Sequence, residues 1–146
     1  MSYILLVDTR EPGLDCHPWA PHIPDGVTIE RATLPTGDFM LQGFTAVVER
    51  KSPSDLLSCI GGNRPRFERE LQRSLEVPAF CIVVEGSLSE CIRQSRGIHG
   101  NAIVGTVAAW SRRYCPVVFC DSPALATDFA LRFLIGHARD TGAQTP

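Results

Sequence analysis

Residues 37–55 read Gly-Asp-Phe-Met-Leu-Gln-Gly-Phe-Thr-Ala-Val-Val-Glu-Arg-Lys-Ser-Pro-Ser-Asp. Pro35-Thr36-Gly37 is a turn that delivers Asp38 at the head of a strand, and Gln42-Gly43 is the hairpin turn into a second strand, Thr45–Lys51. In an extended strand, residues two apart share a face, so Glu49 and Lys51 project together and Arg50 projects the other way. Lys51 is the single lysine of a chain with thirteen arginines. A lysine offers a compact, strongly hydrated point charge where arginine offers a wide planar fork, and the former fits beside a water molecule and a phosphate oxygen. Ser52-Pro53-Ser54-Asp55 then reads as a helix start, with Ser52 as N-cap, Pro53 at the first position and Asp55 in the first turn.

Working outward, residues 3–8 form a buried strand ending in Asp8, and Pro12, Pro18, Pro21 and Pro24 make the following segment a loop. Val27–Ala32 is a further strand. After Gly61-Gly62, the spacing of Phe67, Leu71 and Leu75 predicts a helix whose other faces carry Arg66, Arg69 and Arg73. Residues 79–84 are continuously apolar, as in a strand covered on both faces. Ile103, Val107, Trp110 and Tyr114 mark another helix, residues 117–120 a short strand, and Leu125, Phe129 and Phe133 a last helix. Strands first, then strands alternating with helices, give an α/β class with a central mixed β-sheet flanked by helices. One domain over residues 1–138 is expected, with a disordered tail over 139–146.

The formal net charge of −2 argues at first against a polyanionic partner, but its distribution reverses that. Residues 1–49 carry seven acids and two bases, residues 50–73 six bases and three acids, and residues 93–113 four arginines and no acid. Acids that take up divalent cations leave the basic segments to face nucleic acid. The six cysteines include no CxxC pair and suit buried, reduced thiols. Cys16, His17 and His22 lack a fourth zinc ligand and read as solvated loop residues. The apolar run Tyr3–Val7 is too short for a membrane span and lacks a basic flank, so a cytoplasmic, DNA-associated protein without membrane attachment is expected.

The string Gly37-Asp38, then Glu49-Arg50-Lys51, then Asp55 resembles the active-site signature of the XPF family of structure-specific DNA nucleases. Val7-Asp8-Thr9-Arg10-Glu11 upstream, and Gly61-Gly62-Asn63-Arg64 leading into Phe67-Glu68-Arg69-Glu70-Leu71 downstream, extend the similarity, which is greatest to small stand-alone phage and bacterial members. The resemblance implies a restriction-endonuclease-like fold and a metal-dependent endonuclease that leaves a 5′-phosphate and a 3′-hydroxyl. It implies catalytic roles for Asp8, Asp38, Glu49 and Lys51. Asp8, Asp38 and Glu49 would hold Mg²⁺, with Mn²⁺ as a substitute, because clustered carboxylates repel each other and oxygen ligands suit these ions.

Arg10, Glu11, Arg50 and Asp55 are expected in supporting roles. Arg50 either pairs with Glu11 or Asp55 and braces the site, or contacts the substrate phosphate. Arg64, Arg66, Arg69 and Arg73 are candidate DNA contacts, the first two at a helix start where backbone N–H groups also point outward. Glu85, ending the apolar strand, reads as a turn carboxylate. The expected substrate is DNA, with branched or single-strand/double-strand junction DNA implied by the family, in repair, recombination or mobile-element processing. A non-catalytic DNA-binding or scaffold module of the same fold and a Holliday-junction-resolvase-type nuclease are the alternatives. The apolar rows on the two last helices, together with the resemblance, predict a homodimer through the C-terminal helices.

Overall fold

A computed structural model describes residues 2–142. Its six strands are β1 (Tyr3–Asp8), β2 (Val27–Ala32), β3 (Phe39–Leu41), β4 (Ala46–Lys51), β5 (Ala79–Glu85) and β6 (Val117–Cys120). They form one sheet in the order β2-β1-β3-β4-β5-β6, in which only β3 runs antiparallel to its neighbours. The helices are α1 (Pro53–Ile60), α2 (Arg64–Ser74), α3 (Leu88–Gln94), α4 (Gly100–Arg113) and α5 (Pro123–Thr141). The structure thus has the expected mixed sheet with flanking helices. No helix among the described residues is long and apolar enough to cross a membrane.

The sheet separates two apolar layers. Val48, Cys81 and Val83 point to one, where they meet Trp19, Phe39 and the small residues Ala126 and Ala130 of α5. Val47, Phe80, Ile82 and Val84 point to the other, against α1, α2 and α4 through Leu56, Phe67, Ile103 and Trp110. Both faces of β5 are therefore covered, which is why its sequence does not alternate in polarity. Each fully buried aliphatic side chain of this kind contributes roughly 1.5–3 kcal/mol. The alanines bring α5 close to the sheet, as packing at interior density requires.

Local chemistry sets the element ends. Ser52 caps α1 by accepting from the Asp55 N–H at 3.2 Å, with Pro53 in the first turn, as the sequence predicts. Gly37 has φ of +72°, and a Cβ there would stand 2.1 Å from a Val47 methyl, so only glycine permits the turn that presents Asp38. Two expectations change. Arg139–Thr141, expected in a disordered tail, form the last turn of α5 before Gly142, and the rest of the expected tail, positions 143–146, lies outside the described residues. The Pro-rich loop contains a short 3-10 turn, Ala20–His22, and His17 is buried within it instead of solvated.

Candidate active site

Because β1, β4 and β5 are parallel and β3 is not, the C-terminal ends of the first three and the start of β3 meet at one edge of the sheet. Asp8, Asp38, Lys51 and Glu85 all end up there. Asp38 is half-buried and Glu49 buried, and they are close enough that the charge of Glu49 acts on Asp38. Oδ2 of Asp38 also accepts the Arg50 backbone N–H at 2.8 Å. Burial, then the charges of Glu49 and Glu11, push the Asp38 carboxyl well above its usual range. Burial likewise raises Glu49, with the Lys51 charge opposing and Glu70 adding to the rise.

Lys51 Nζ lies 3.3 Å from Glu49 Oε2 and 4.7 Å from the centre of the Phe67 ring. Burial alone lowers an ammonium pKa, but the charge of Glu49, the largest opposing influence, and that of Asp38 help outweigh it and hold Lys51 above its ordinary value. Lys51 is thus a cation held between the Glu49 carboxylate and an aromatic face. It borders a cavity of about 200 Å³ together with Asp38 and Glu49, and Arg10, Arg66 and Arg73 complete the basic part of the wall.

Asp8 takes a different place from the one expected. Its Oδ1 accepts the Leu34 N–H at 2.9 Å, and its Oδ2 accepts the Arg10 N–H at 3.0 Å and Arg10 Nε at 2.6 Å. Burial raises its pKa, but these bonds outweigh burial and leave it below the usual carboxylate range. Asp8 is therefore a strongly ionised anchor for Arg10, and it does not line the cavity. Asp38 and Glu49 border the cavity as a pair, with Asp8 beside them and both its oxygens engaged by Leu34 and Arg10. Among the described residues no group of three or more His, Cys, Asp or Glu side chains is placed to hold a metal ion. The Asp38–Glu49 pair nonetheless suits a divalent cation of the Mg²⁺ class: two hard oxygen donors on adjoining strands, disfavoured as a doubly charged pair unless a cation joins them.

Arg50 resolves as a brace. On the opposite face of β4 its guanidinium pairs with Glu85 through Nε and with Glu11 through Nη1 at 3.3 Å, and not with Asp55. Glu85 also accepts Trp19 Nε1 at 2.8 Å. His17 Nδ1 accepts the Trp19 N–H at 3.0 Å, which leaves Nε2 to donate to Glu11 at 2.9 Å. Trp19 stacks on Phe39, ring centres 4.2 Å apart, directly after Asp38 in the chain. Glu85 is thus part of the site's support and more than a turn carboxylate. The polar termination of an otherwise apolar strand was the signal for it.

The basic helix divides in two. Arg66 and Arg73 face the cavity, and Arg69 is exposed away from it. Arg64 turns towards α4, where it donates to Thr106 Oγ1 at 3.0 Å and pairs with Glu68 at 3.4 Å, while Glu68 accepts Trp110 Nε1 at 2.9 Å. Arg64 therefore ties two helices together instead of presenting a free guanidinium to a phosphate. Glu70, read from the sequence as an interleaved surface acid, lines the cavity because it lies four residues after Arg66 and three before Arg73 on one helical face.

The ERCC4 domain family matches residues 7–133. Comparison with curated proteins gives no significant match. Among solved structures the chain is similar to XPF from Aeropyrum pernix, with 23% identity and a TM-score of 0.73 over 97% of this chain and 62% of that one. It is also similar to XPF from Aeropyrum pernix in complex with DNA, with 21% identity and a TM-score of 0.75 over 97% of this chain and 68% of that one. The chain thus spans about two thirds of these structures' length, and the likeness is one of fold.

Proposed function

Since this chain belongs to the ERCC4 domain family, we propose that it is a divalent-metal-dependent DNA endonuclease that hydrolyses phosphodiester bonds at Asp38, Glu49 and Lys51. The observation that carries this reading is the close Asp38–Glu49 carboxyl pair with Lys51 Nζ beside it, all bordering a cavity edged by three arginines. Asp38 and Glu49 would hold Mg²⁺, or Mn²⁺ in its place, which when bound polarises the scissile phosphate and lowers the pKa of a coordinated water.

The remaining chemistry belongs to the chain's own groups. Lys51 Nζ, fixed against Glu49, orients the attacking water and offsets charge as the transition state forms. Arg10, Arg66 and Arg73 seat phosphates flanking the cut, with Arg10 pinned by Asp8. Arg50 holds Asp38 through its backbone N–H while its side chain stays in the opposite layer. The products are a 5′-phosphate and a 3′-hydroxyl.

Branched or single-strand/double-strand junction DNA inside the cell is the proposed substrate, in repair, recombination or mobile-element processing. A homodimer would present two such sites. Ile103, Val107 and Trp110 are consumed in the protomer's own core, so the pairing face reduces to the half-buried Phe129 and Phe133 and the exposed Leu125 of α5, next to the edge strand β6.

The test is incubation of the pure protein with single-stranded, duplex, flap and four-way DNA, with and without Mg²⁺. Metal-dependent cutting of a branched substrate supports the proposal. Binding without cutting reassigns the chain as a DNA-binding module, and symmetric paired cuts on four-way DNA reassign it as a junction resolvase.

A further inference from the structure

A second cavity, of about 270 Å³, lies on the other side of Lys51, between α1 and α2. It shares Lys51, Arg66 and Glu70 with the cavity already described and adds Asp55, Ser58 and Asn63. The two differ in charge. The first sets Arg10, Lys51, Arg66 and Arg73 against Asp38, Glu49 and Glu70, and a cation between Asp38 and Glu49 makes it firmly positive. The second sets Lys51 and Arg66 against Asp55 and Glu70 and is balanced. A phosphate belongs in the first, and a neutral but polar group in the second.

The polar side chains around the second cavity are also idle. Asp55, Ser58, Asn63, Arg66 and Glu70 make no side-chain hydrogen bond or ion pair with any of the described residues, unlike Arg64, Glu68, Arg50 and Glu85 close by. Asn63 occupies the N-cap position of α2 yet makes no side-chain cap bond, so its amide keeps a free acceptor and two free donors. Ser52, Ser87 and Ser122 at other helix starts all spend their hydroxyls on caps. The volume, about 270 Å³, falls just below that of ligand pockets for drug-sized molecules, roughly 300 to 1,000 Å³, so it suits one nucleobase and not a duplex.

We propose that this cavity is a base-reading subsite that takes one unpaired nucleobase bearing an exocyclic amino group, from a nucleotide beside the scissile phosphate. The proposal rests on the nuclease reading and names the feature of the substrate that the site recognises. The two carboxylates, Asp55 and Glu70, call for two N–H donors, which adenine, cytosine and guanine supply together as an amino group, whereas thymine offers only its single N3–H. The Asn63 amide pairs with a base edge that offers both a donor and an acceptor. A paired base cannot enter, so the subsite ties cutting to a locally unpaired strand, as in other enzymes that must take a base out of the stack.

Two arms test it. In the first, gapped duplexes carry adenine, cytosine, thymine or an abasic residue at the unpaired position next to the mapped cut. The expected result is cutting about tenfold faster for adenine and cytosine than for thymine or the abasic residue, with the difference abolished in a Ser58→Ala/Asn63→Ala variant. Equal rates on all four substrates overturn the proposal while leaving the nuclease reading intact. In the second, 2-aminopurine is moved one nucleotide at a time through the gap in excess EDTA, where no cutting occurs. A change in its emission confined to one position, and lost in Ser58→Trp, supports the subsite even if the wild-type protein cuts no DNA and the nuclease reading fails. No position-dependent change overturns it.

Discussion

The backbone N–H of Arg50 donates to Oδ2 of Asp38 at 2.8 Å, so the residue whose side chain braces one layer of the molecule also pins a carboxylate that works in the other. The consequences of this arrangement for activity and stability separate, and each can be measured.

Asp38→Asn and Glu49→Gln are expected to lower cleavage at least ~100-fold, since each removes a charge and a donor from the pair proposed to hold the metal. Asp38→Asn should also stabilise the metal-free protein. The folded-state pKa of Asp38 is raised above its ordinary value of 3.8, so the folded form loses stability as pH climbs from that value through the raised one. At neutral pH that loss is in place, and a permanently neutral Asn removes it. Thermal melting in EDTA at pH 7 should rise by about 4 °C, the shift that roughly 1 kcal/mol makes in a domain of this size. At pH 3 the gain should vanish, and an unchanged melting temperature at pH 7 would contradict the buried-pair reading.

Lys51→Arg should cut ~10- to 1,000-fold more slowly although charge is kept. The ammonium is held between Glu49 Oε2 and the Phe67 ring, and a guanidinium fork at that point displaces either the ring or the water site. Near-normal turnover with unchanged KM would show that Lys51 supplies only positive potential.

DNA binding should weaken with salt along a log–log slope near −3, from about three or four phosphate contacts. Replacing Arg66 and Arg73 together should flatten the slope by about 2. Arg64→Ala should leave the slope alone and lower stability instead by about 1–2 kcal/mol, because Glu68 and Thr106 lose their partner. Titrations at several salt concentrations, with urea melts alongside, distinguish the two classes.

Glu85→Ala should destabilise the fold by about 3–5 kcal/mol, the usual effect of removing one partner from a buried ion pair. It leaves Arg50 half-paired and Trp19 Nε1 without an acceptor. Glu85→Gln, which still accepts from Trp19, should lose less. Equal, small losses in both variants would mean that water replaces the brace.

A dimer through α5 and β6 should give twice the chain mass by light scattering at micromolar concentration, and Leu125→Glu should return it to the monomer. A monomeric wild type at these concentrations, with or without DNA, removes that interface.

Much of this was legible in the sequence, for reasons that differ by residue. The strand–turn–strand–helix of residues 37–60 could be read because its signals are local: Gly37 and Gly43 at positive φ, alternation along β4, and the Ser52-Pro53 helix start. Helix α3 was missed because it is seven residues long and buries only Cys91 fully, too little to make a periodic pattern. The bonds from Arg50 to Glu85 and from Trp19 to Glu85 span 35 and 66 residues, and no local rule foretells such pairs. Arg64 and Arg66 look alike in sequence. They part only because α4 lies against one side of α2, which spacing alone cannot specify. For Asp8 the residue type and its place at a strand end were visible, and the hydrogen bonds from Leu34 and Arg10 were not.

The alternation along β4 has a consequence for how this protein can change. Glu49 and Lys51 work on one side of the sheet and Arg50 on the other, and β4 is hemmed in by β3 and β5. Inserting or deleting a single residue within the strand would exchange the sides, putting Lys51 in the layer of Trp19 and Phe39 and the bracing arginine in the cavity that Asp38 and Glu49 border. Substitutions can tune this strand one position at a time. Length changes cannot, and must fall in the turns on either side of it, where slack in the chain leaves the phase of the strand untouched.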